Sequence, residues 1–253
     1  MGKIAMVTGA TSGIGKATAL MLARIGYDLV VTGRRQERLA ELASVIGQQY
    51  GVKVFTMNFD IRDRQQTDAA FDQLPLEWQA IDVLVNNAGL AAGASGIEEG
   101  QWAHWEQMID TNVKGLLYLS KKVIPFMVNR KAGHIVNLSS VAASQVYAGG
   151  NVYCATKHAV DAITKGMRVD LLKYGIRVSS VSPGMVETEF SIVRYDGDEQ
   201  KAAKVYEGVT PLSADDVAST IEFIVTRPPH VNINDVLIMP TQQAMAYYVD
   251  RKS

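Results

Sequence analysis

Tyr153 and Lys157 stand four residues apart in NVYCATKHAV (151–160), a stretch whose residues suit a helix. Positions i and i+4 of a helix are neighbours on one face, so the lysine lies one turn from the tyrosine. A tyrosine hydroxyl has an unperturbed pKa near ~10, too high for an efficient base at neutral pH. A nearby ammonium favours the phenolate and suits the pair to moving a proton on or off an oxygen atom. The plain alternative is an interior tyrosine beside a solvated lysine, and the rest of the chain has to decide.

A second pattern is Thr8-Gly9-Ala10-Thr11-Ser12-Gly13-Ile14-Gly15. Its glycines permit a tight turn and let backbone N–H groups approach a pyrophosphate, with a helix N-terminus facing the anion. The spacing is G-x-x-x-G-x-G rather than G-x-G-x-x-G, so the signal rests on its place between a first strand and a first helix. An acidic residue ~20 positions further on would bond the ribose 2′-OH of NAD. Gly33-Arg34-Arg35 stands there instead. A guanidinium offers a fixed fork of donors that suits a 2′-phosphate, so NADP(H) is the expected cofactor, with Arg34 the firmer choice of the two.

Short apolar runs of strand type alternate with longer helical patterns: strands at 4–9, 28–33, 53–59, 81–87, 134–140, 176–184 and 235–240. Helices are expected at 13–26, 35–50, 63–74, about 102–130, 152–174 and 213–226, with Pro125 kinking or ending the regular part of the fourth. The succession implies an α/β fold: one doubly wound, seven-stranded, mostly parallel sheet with helices on both faces, in a single domain. The loops at 141–151 and 184–212 follow carboxyl ends of strands, where such sheets bind ligands. The second is long, carries a short helix near 199–207 and reads as a substrate lid.

With 253 residues, 47% hydrophobic and 20% charged, the chain can bury a full core. A formal net charge of −1 gives no case for nucleic acid or an anionic membrane as partner. No apolar run approaches the ~18–20 residues of a membrane span, and the early start of the first strand argues against a signal peptide. Cys154 is the single cysteine, read as a small buried filler, and fits a reducing, cytoplasmic setting. The four histidines are scattered and no metal site is expected.

Taken together, these motifs resemble the short-chain dehydrogenase/reductase family over nearly the whole chain. The resemblance implies that Thr8–Gly15 is the cofactor loop and that Asp60 lies near the adenine. It makes Asn87, Ala88 and Gly89 part of an NNAG motif, and it places Pro183, Gly184, Val186 and Thr188 over the nicotinamide. Asn112 would hold a water for proton relay. Ser140, Tyr153 and Lys157 would be catalytic, Ser140 being preferred to Ser139 because it lies 13 residues before the tyrosine. TGRRQERL (32–39), DTNVKGL (110–116), YAGGNVY (147–153) and HVNIND (230–235) resemble the NADP-dependent 3-hydroxy acid (serine) dehydrogenase group within that family. A homotetramer paired through the two long helices is a further implication.

A hydroxy acid needs a partner for its carboxylate. Arg194, on the lid, suits bidentate binding, and Gln145, Tyr147 and Asn151 lie where they would line the pocket. Two other readings compete: a broad carbonyl or 3-ketoacyl reductase, and a non-catalytic NADP-binding regulator. The presence of Ser140, Tyr153 and Lys157 together argues against the last, since a binding module does not require them.

Overall fold

Residues 2–252 are described by the structure, a computed structural model. The apolar runs form β1 (Ile4–Thr8), β2 (Asp28–Gly33), β3 (Val54–Asn58), β4 (Ile81–Asn86), β5 (Gly133–Leu138), β6 (Ile176–Pro183) and β7 (Asp235–Ile238). They make one sheet in the order β3-β2-β1-β4-β5-β6-β7, with every pairing parallel. The order reverses between β1 and β4, and the carboxyl ends of the strands around that reversal are where such a sheet holds a ligand.

Successive strand residues point to opposite faces, and here both faces are covered. Ala5 and Val7 join Leu22, Leu29, Ile46 and Ile221 on one side, while Ile4 and Met6 join Val30, Leu84, Leu119 and Ile135 on the other. Two apolar layers explain why the strands read as continuous apolar runs without polar alternation.

The helices are α1 (Gly13–Arg24), α2 (Gln36–Tyr50), α3 (Arg64–Asp72), α4 (Trp102–Ile109), α5 (Leu116–Arg130), α6 (Asn151–Leu171), α7 (Phe190–Arg194), α8 (Glu199–Lys204) and α9 (Ala214–Val225). Local signals set several ends. Asp63 caps α3 by accepting from the Gln65 and Gln66 amides. Ser213 and Asp216 form a reciprocal capping box at α9. Gly175, at φ 69, closes the short 3-10 turn that extends α6.

The expected single helix over 102–130 is two helices joined by a π-helical turn at Asp110–Gly115. Helix α5 runs on through Pro125, so the irregularity lies upstream of the proline. The π turn carries Asn112, whose carboxamide reaches out of the helix to the backbone of Leu90. The Leu90 amide donates to Asn112 Oδ1 at 2.8 Å, and Asn112 Nδ2 donates to Leu90 O at 2.8 Å and to Thr156 Oγ1 at 3.0 Å. Such π-bulges are a frequent device at functional sites. Residues 184–212 hold two short helices, α7 and α8, where the sequence suggested one near 199–207.

Candidate active site

A cavity of about 340 Å³ opens at the carboxyl ends of β1, β2, β4, β5 and β6. Gly9, Thr11, Ser12, Gly13 and Ile14 form one wall, with Arg34, Arg35 and Asp60 beside them. Asn87, Ala88 and Gly89 come from the loop after β4; Pro183, Gly184, Val186 and Thr188 come from the segment after β6. Ser140, Tyr153 and Lys157 line the same space.

The glycine loop is fitted tightly to its neighbours. A Cβ on Gly15 would collide with Gly9 O and Asn87 Nδ2, so only glycine lets the loop close against the β4 loop. Gly13, at φ +49, lies so close to Thr188 that a Cβ would sit 3.2 Å from its side chain. Thr8 Oγ1 accepts from the amides of Asn87 at 3.0 Å and Ala88 at 2.9 Å, and Asn87 Nδ2 donates to Thr8 O at 2.8 Å. These bonds join the two loops into one rim.

The rim suits a polar, phosphate-bearing ligand. Ser139 Oγ and Thr111 Oγ1 are buried without a partner among the described residues, and both residues line the cavity. Buried hydroxyls left so disfavour the fold until something bonds them. Together with the glycine turn and the arginines at the end of β2, they match the donor set that a dinucleotide requires.

The arginines divide their work in a way the sequence did not indicate. Arg34 leans toward Asp60, with Nη1 3.8 Å from its carboxylate, and is half exposed. Asp60 is held mainly by Arg62; burial of its carboxyl is outweighed by these arginine contacts, and its pKa is lowered. Arg35 reaches across the glycine loop, donating to Thr11 Oγ1 at 2.9 Å and Ser12 Oγ at 2.8 Å. It also pairs with Glu189, in the segment after β6, at 2.8 Å. Of the two, Arg35 is the one bound into the anion loop.

Tyr153 and Lys157 lie on one face of α6, and neither is a solvated surface residue: the tyrosine is 8% exposed and the lysine 6%. Lys157 Nζ stands 5.9 Å from the Tyr153 ring centroid and donates to Leu138 O at 2.9 Å. Burial pulls the Lys157 pKa down from 10.5 to about 8. Burial also raises the Tyr153 pKa, helped by Tyr147, while the Ser140 hydroxyl and the Arg194 charge oppose the rise. Desolvation of the phenol thus outweighs the Ser140 bond and the Arg194 charge, whereas the sequence reading expected the ammonium to favour the phenolate. Ser140 caps the 3-10 turn Val141–Ala143, its Oγ accepting from the Ala142 amide at 3.1 Å. The Asn112 carboxamide bonds Leu90 and Thr156, so it anchors the β4 loop to α6, and both of its N–H donors are used there.

The segment at 184–212 packs over this group. Phe190 meets Tyr153 edge-on at 5.7 Å between ring centroids. The Arg194 guanidinium donates to Tyr147 Oη at 3.1 Å and to Gly93 O at 3.3 Å, while Arg194 O accepts from the Gly93 amide at 2.9 Å. Gln145 and Asn151 do not line the main cavity. Gln145 Oε1 accepts from the Ala246 amide at 2.7 Å, and Asn151 donates to Ser95 O at 3.0 Å in a small adjoining cleft that Tyr153 also lines. Sequence reasoning missed Glu189, Phe190 and the loop at 90–96. The only signal for that loop was the distance between Gly89 and the next helix, broken by Gly93, Gly96 and Gly100.

A family profile described as short chain dehydrogenase matches residues 3–198. The chain belongs to the short-chain dehydrogenase family. An NADP-dependent 3-hydroxy acid dehydrogenase from Salmonella typhi is 45% identical to it over 96% of this chain and 97% of its own. A serine 3-dehydrogenase from Agrobacterium fabrum is 43% identical, with 98% of each chain covered. Among solved structures, the closed form of serine dehydrogenase complexed with NADP+ superposes with a TM-score of 0.92 at 42% identity, covering 99% of this chain and 100% of that one. No helix among the described residues is long and apolar enough to cross a membrane.

Proposed function

We propose that this oxidoreductase, whose cofactor is NADP(H), interconverts small 3-hydroxy acids such as serine, 3-hydroxypropionate or 3-hydroxyisobutyrate with the matching semialdehydes. The observation that carries the substrate class is Arg194: its guanidinium donates to Tyr147 Oη, and its charge is felt by Tyr153. A substrate whose alcohol oxygen meets Tyr153 and which carries a carboxylate would present that anion to the Arg194 guanidinium. The relatives named for 3-hydroxy acids and for serine support the same class.

When bound, NADP(H) supplies or accepts the hydride; the protein handles the proton. In reduction, the Tyr153 hydroxyl donates its proton to the carbonyl oxygen as that oxygen gains charge. Its raised pKa keeps the proton in place until then. In oxidation, Tyr153 takes the alcohol proton, which requires the positive charges around it to stabilise the phenolate. Ser140 Oγ–H bonds the same substrate oxygen and fixes its position. Lys157 has three N–H donors, one directed to Leu138 O; the others serve the ribose of the cofactor. Arg34 and Arg35 hold the 2′-phosphate. The protein works as a cytoplasmic homotetramer.

The test is reduction of NADP+ by the purified protein with L-serine, D-serine, 3-hydroxypropionate, 3-hydroxyisobutyrate and simple secondary alcohols, each repeated with NAD+. Preference for the acids with NADP+ supports the reading. Activity confined to uncharged alcohols would leave a general carbonyl reductase. Tight cofactor binding with no turnover of any substrate would leave a regulator.

A further inference from the structure

Glu189 ties the arginines that follow β2 to the segment that follows β6. Its carboxylate oxygens lie 2.8 Å from Arg35 Nη1 and 2.6 Å from Arg38 Nη1. Those guanidiniums come from α2 and the residue before it, and Glu189 comes from the segment after β6, so the contact spans the mouth of the cavity. Glu189 lines that cavity, as does Arg35. The same Arg35 guanidinium is bonded to Thr11 and Ser12 of the glycine loop. A carboxylate thus sits among the cations placed for a phosphate.

We propose that Glu189 is a cofactor-discriminating residue, whose carboxylate competes with the 2′-phosphate of NADP(H) for Arg35 and Arg38. The inference rests on the reading that these arginines, with Arg34, receive that phosphate. A dianion bonded by Arg35 displaces a single carboxylate or lies against it, and in either case the negative charge of Glu189 weakens binding of the phosphorylated cofactor. NAD(H), lacking the phosphate, leaves the Glu189 pairs intact. The protein therefore binds NADP(H) less tightly than its arginines alone would allow. The residue that limits affinity is also the one from which α7 starts: Val193 N–H donates to Glu189 O at 3.0 Å, and Phe190 and Arg194 follow on the same turn.

The experiment is calorimetric titration of the full chain with NADP+ and with NAD+, for wild type, Glu189→Gln and Glu189→Asp. Glu189 is partly exposed and its removal leaves no buried charge, so the variants fold. Glu189→Gln is expected to tighten NADP+ binding by roughly 2- to 10-fold, the range of one or two exposed ion pairs released. NAD+ binding stays unchanged, and Glu189→Asp, which keeps the charge, stays near wild type for both. Unchanged NADP+ affinity in Glu189→Gln, or an equal change for both cofactors, overturns the proposal. Weakened NADP+ binding overturns it too, because Glu189 would then be aligning the arginines for the phosphate. A wild type without preference for NADP+ sinks the underlying arginine reading instead, and that outcome is visible before any variant is made.

Discussion

Replacing Lys157 with methionine separates what this side chain does for function from what it does for stability. The lysine is almost fully buried, and burial lowers its pKa from 10.5 to about 8. At ~1.4 kcal/mol for each tenfold change in proton affinity, carrying the charged form into that place disfavours the folded state by about 3 kcal/mol at neutral pH. Methionine has similar length and carries no charge, so this penalty disappears. The hydrogen bond from Lys157 Nζ to Leu138 O goes with it, worth about 1 kcal/mol. Lys157→Met should therefore stabilise the cofactor-free protein by about 2 kcal/mol at pH ~7, raising Tm by roughly 4–8 °C for a chain of this size, while abolishing turnover. Between about 8 and 10.5 the unfolded wild type binds more protons than the folded one, so wild-type stability climbs with pH through that window. The advantage of the variant is full below about 8 and fades toward 10.5. Thermal unfolding followed by circular dichroism, without cofactor and at fixed protein concentration, at pH values on both sides of the window reads this directly. A variant no more stable than wild type at neutral pH, or one whose advantage ignores pH, refutes the reasoning.

His134 is buried at 1% exposure, and burial together with the Arg177 charge lowers its pKa from 6.5 to about 3. The folded state keeps it neutral while the unfolded chain takes a proton, so its share of stability is present above 6.5 and is lost at ~1.4 kcal/mol per pH unit on descending toward 3. His134→Gln should lose that slope, and urea midpoints for the two proteins should converge as the pH falls from neutral; parallel curves would refute it. Tyr153→Phe should cut turnover at least ~10²-fold with cofactor affinity retained, since it removes one hydroxyl from proton transfer; stopped-flow rates and a binding titration check the two halves. Arg194→Ala should raise KM for carboxylate substrates by ~10- to 100-fold, the worth of a charge-assisted hydrogen bond, and leave uncharged carbonyls nearly untouched. Equal losses on both substrate types would make Arg194 a fastening for the lid, as its bonds to Gly93 and Tyr147 permit.

The elements that hold the site were legible because each is written locally. Tyr153 and Lys157 share a face because both lie within α6, and their spacing is the helical repeat itself. The glycine loop between β1 and α1 demands close backbone approach, and Gly15 against Gly9 O and Asn87 Nδ2 bears the demand out. The alternation of apolar runs and amphipathic stretches set the sheet and its two covers, since the inner strands are buried on both faces while the edge strands β3 and β7 are partly exposed.

What the tertiary structure decided are contacts between residues far apart in the chain. Arg35 rather than Arg34 enters the glycine loop because Thr11 and Ser12 accept from it and Glu189, 154 positions away, pairs with it. The π turn at Asp110–Gly115 has no periodic signature, and it accompanies the bonds of Asn112 to Leu90 and Thr156, which lie far from it in the chain. The proton affinity of Tyr153 was not legible in the sequence for the same reason, nor was that of Lys157. Spacing places a cation beside a phenol, but only packing sets how far water is excluded from both, and desolvation is the larger effect on each.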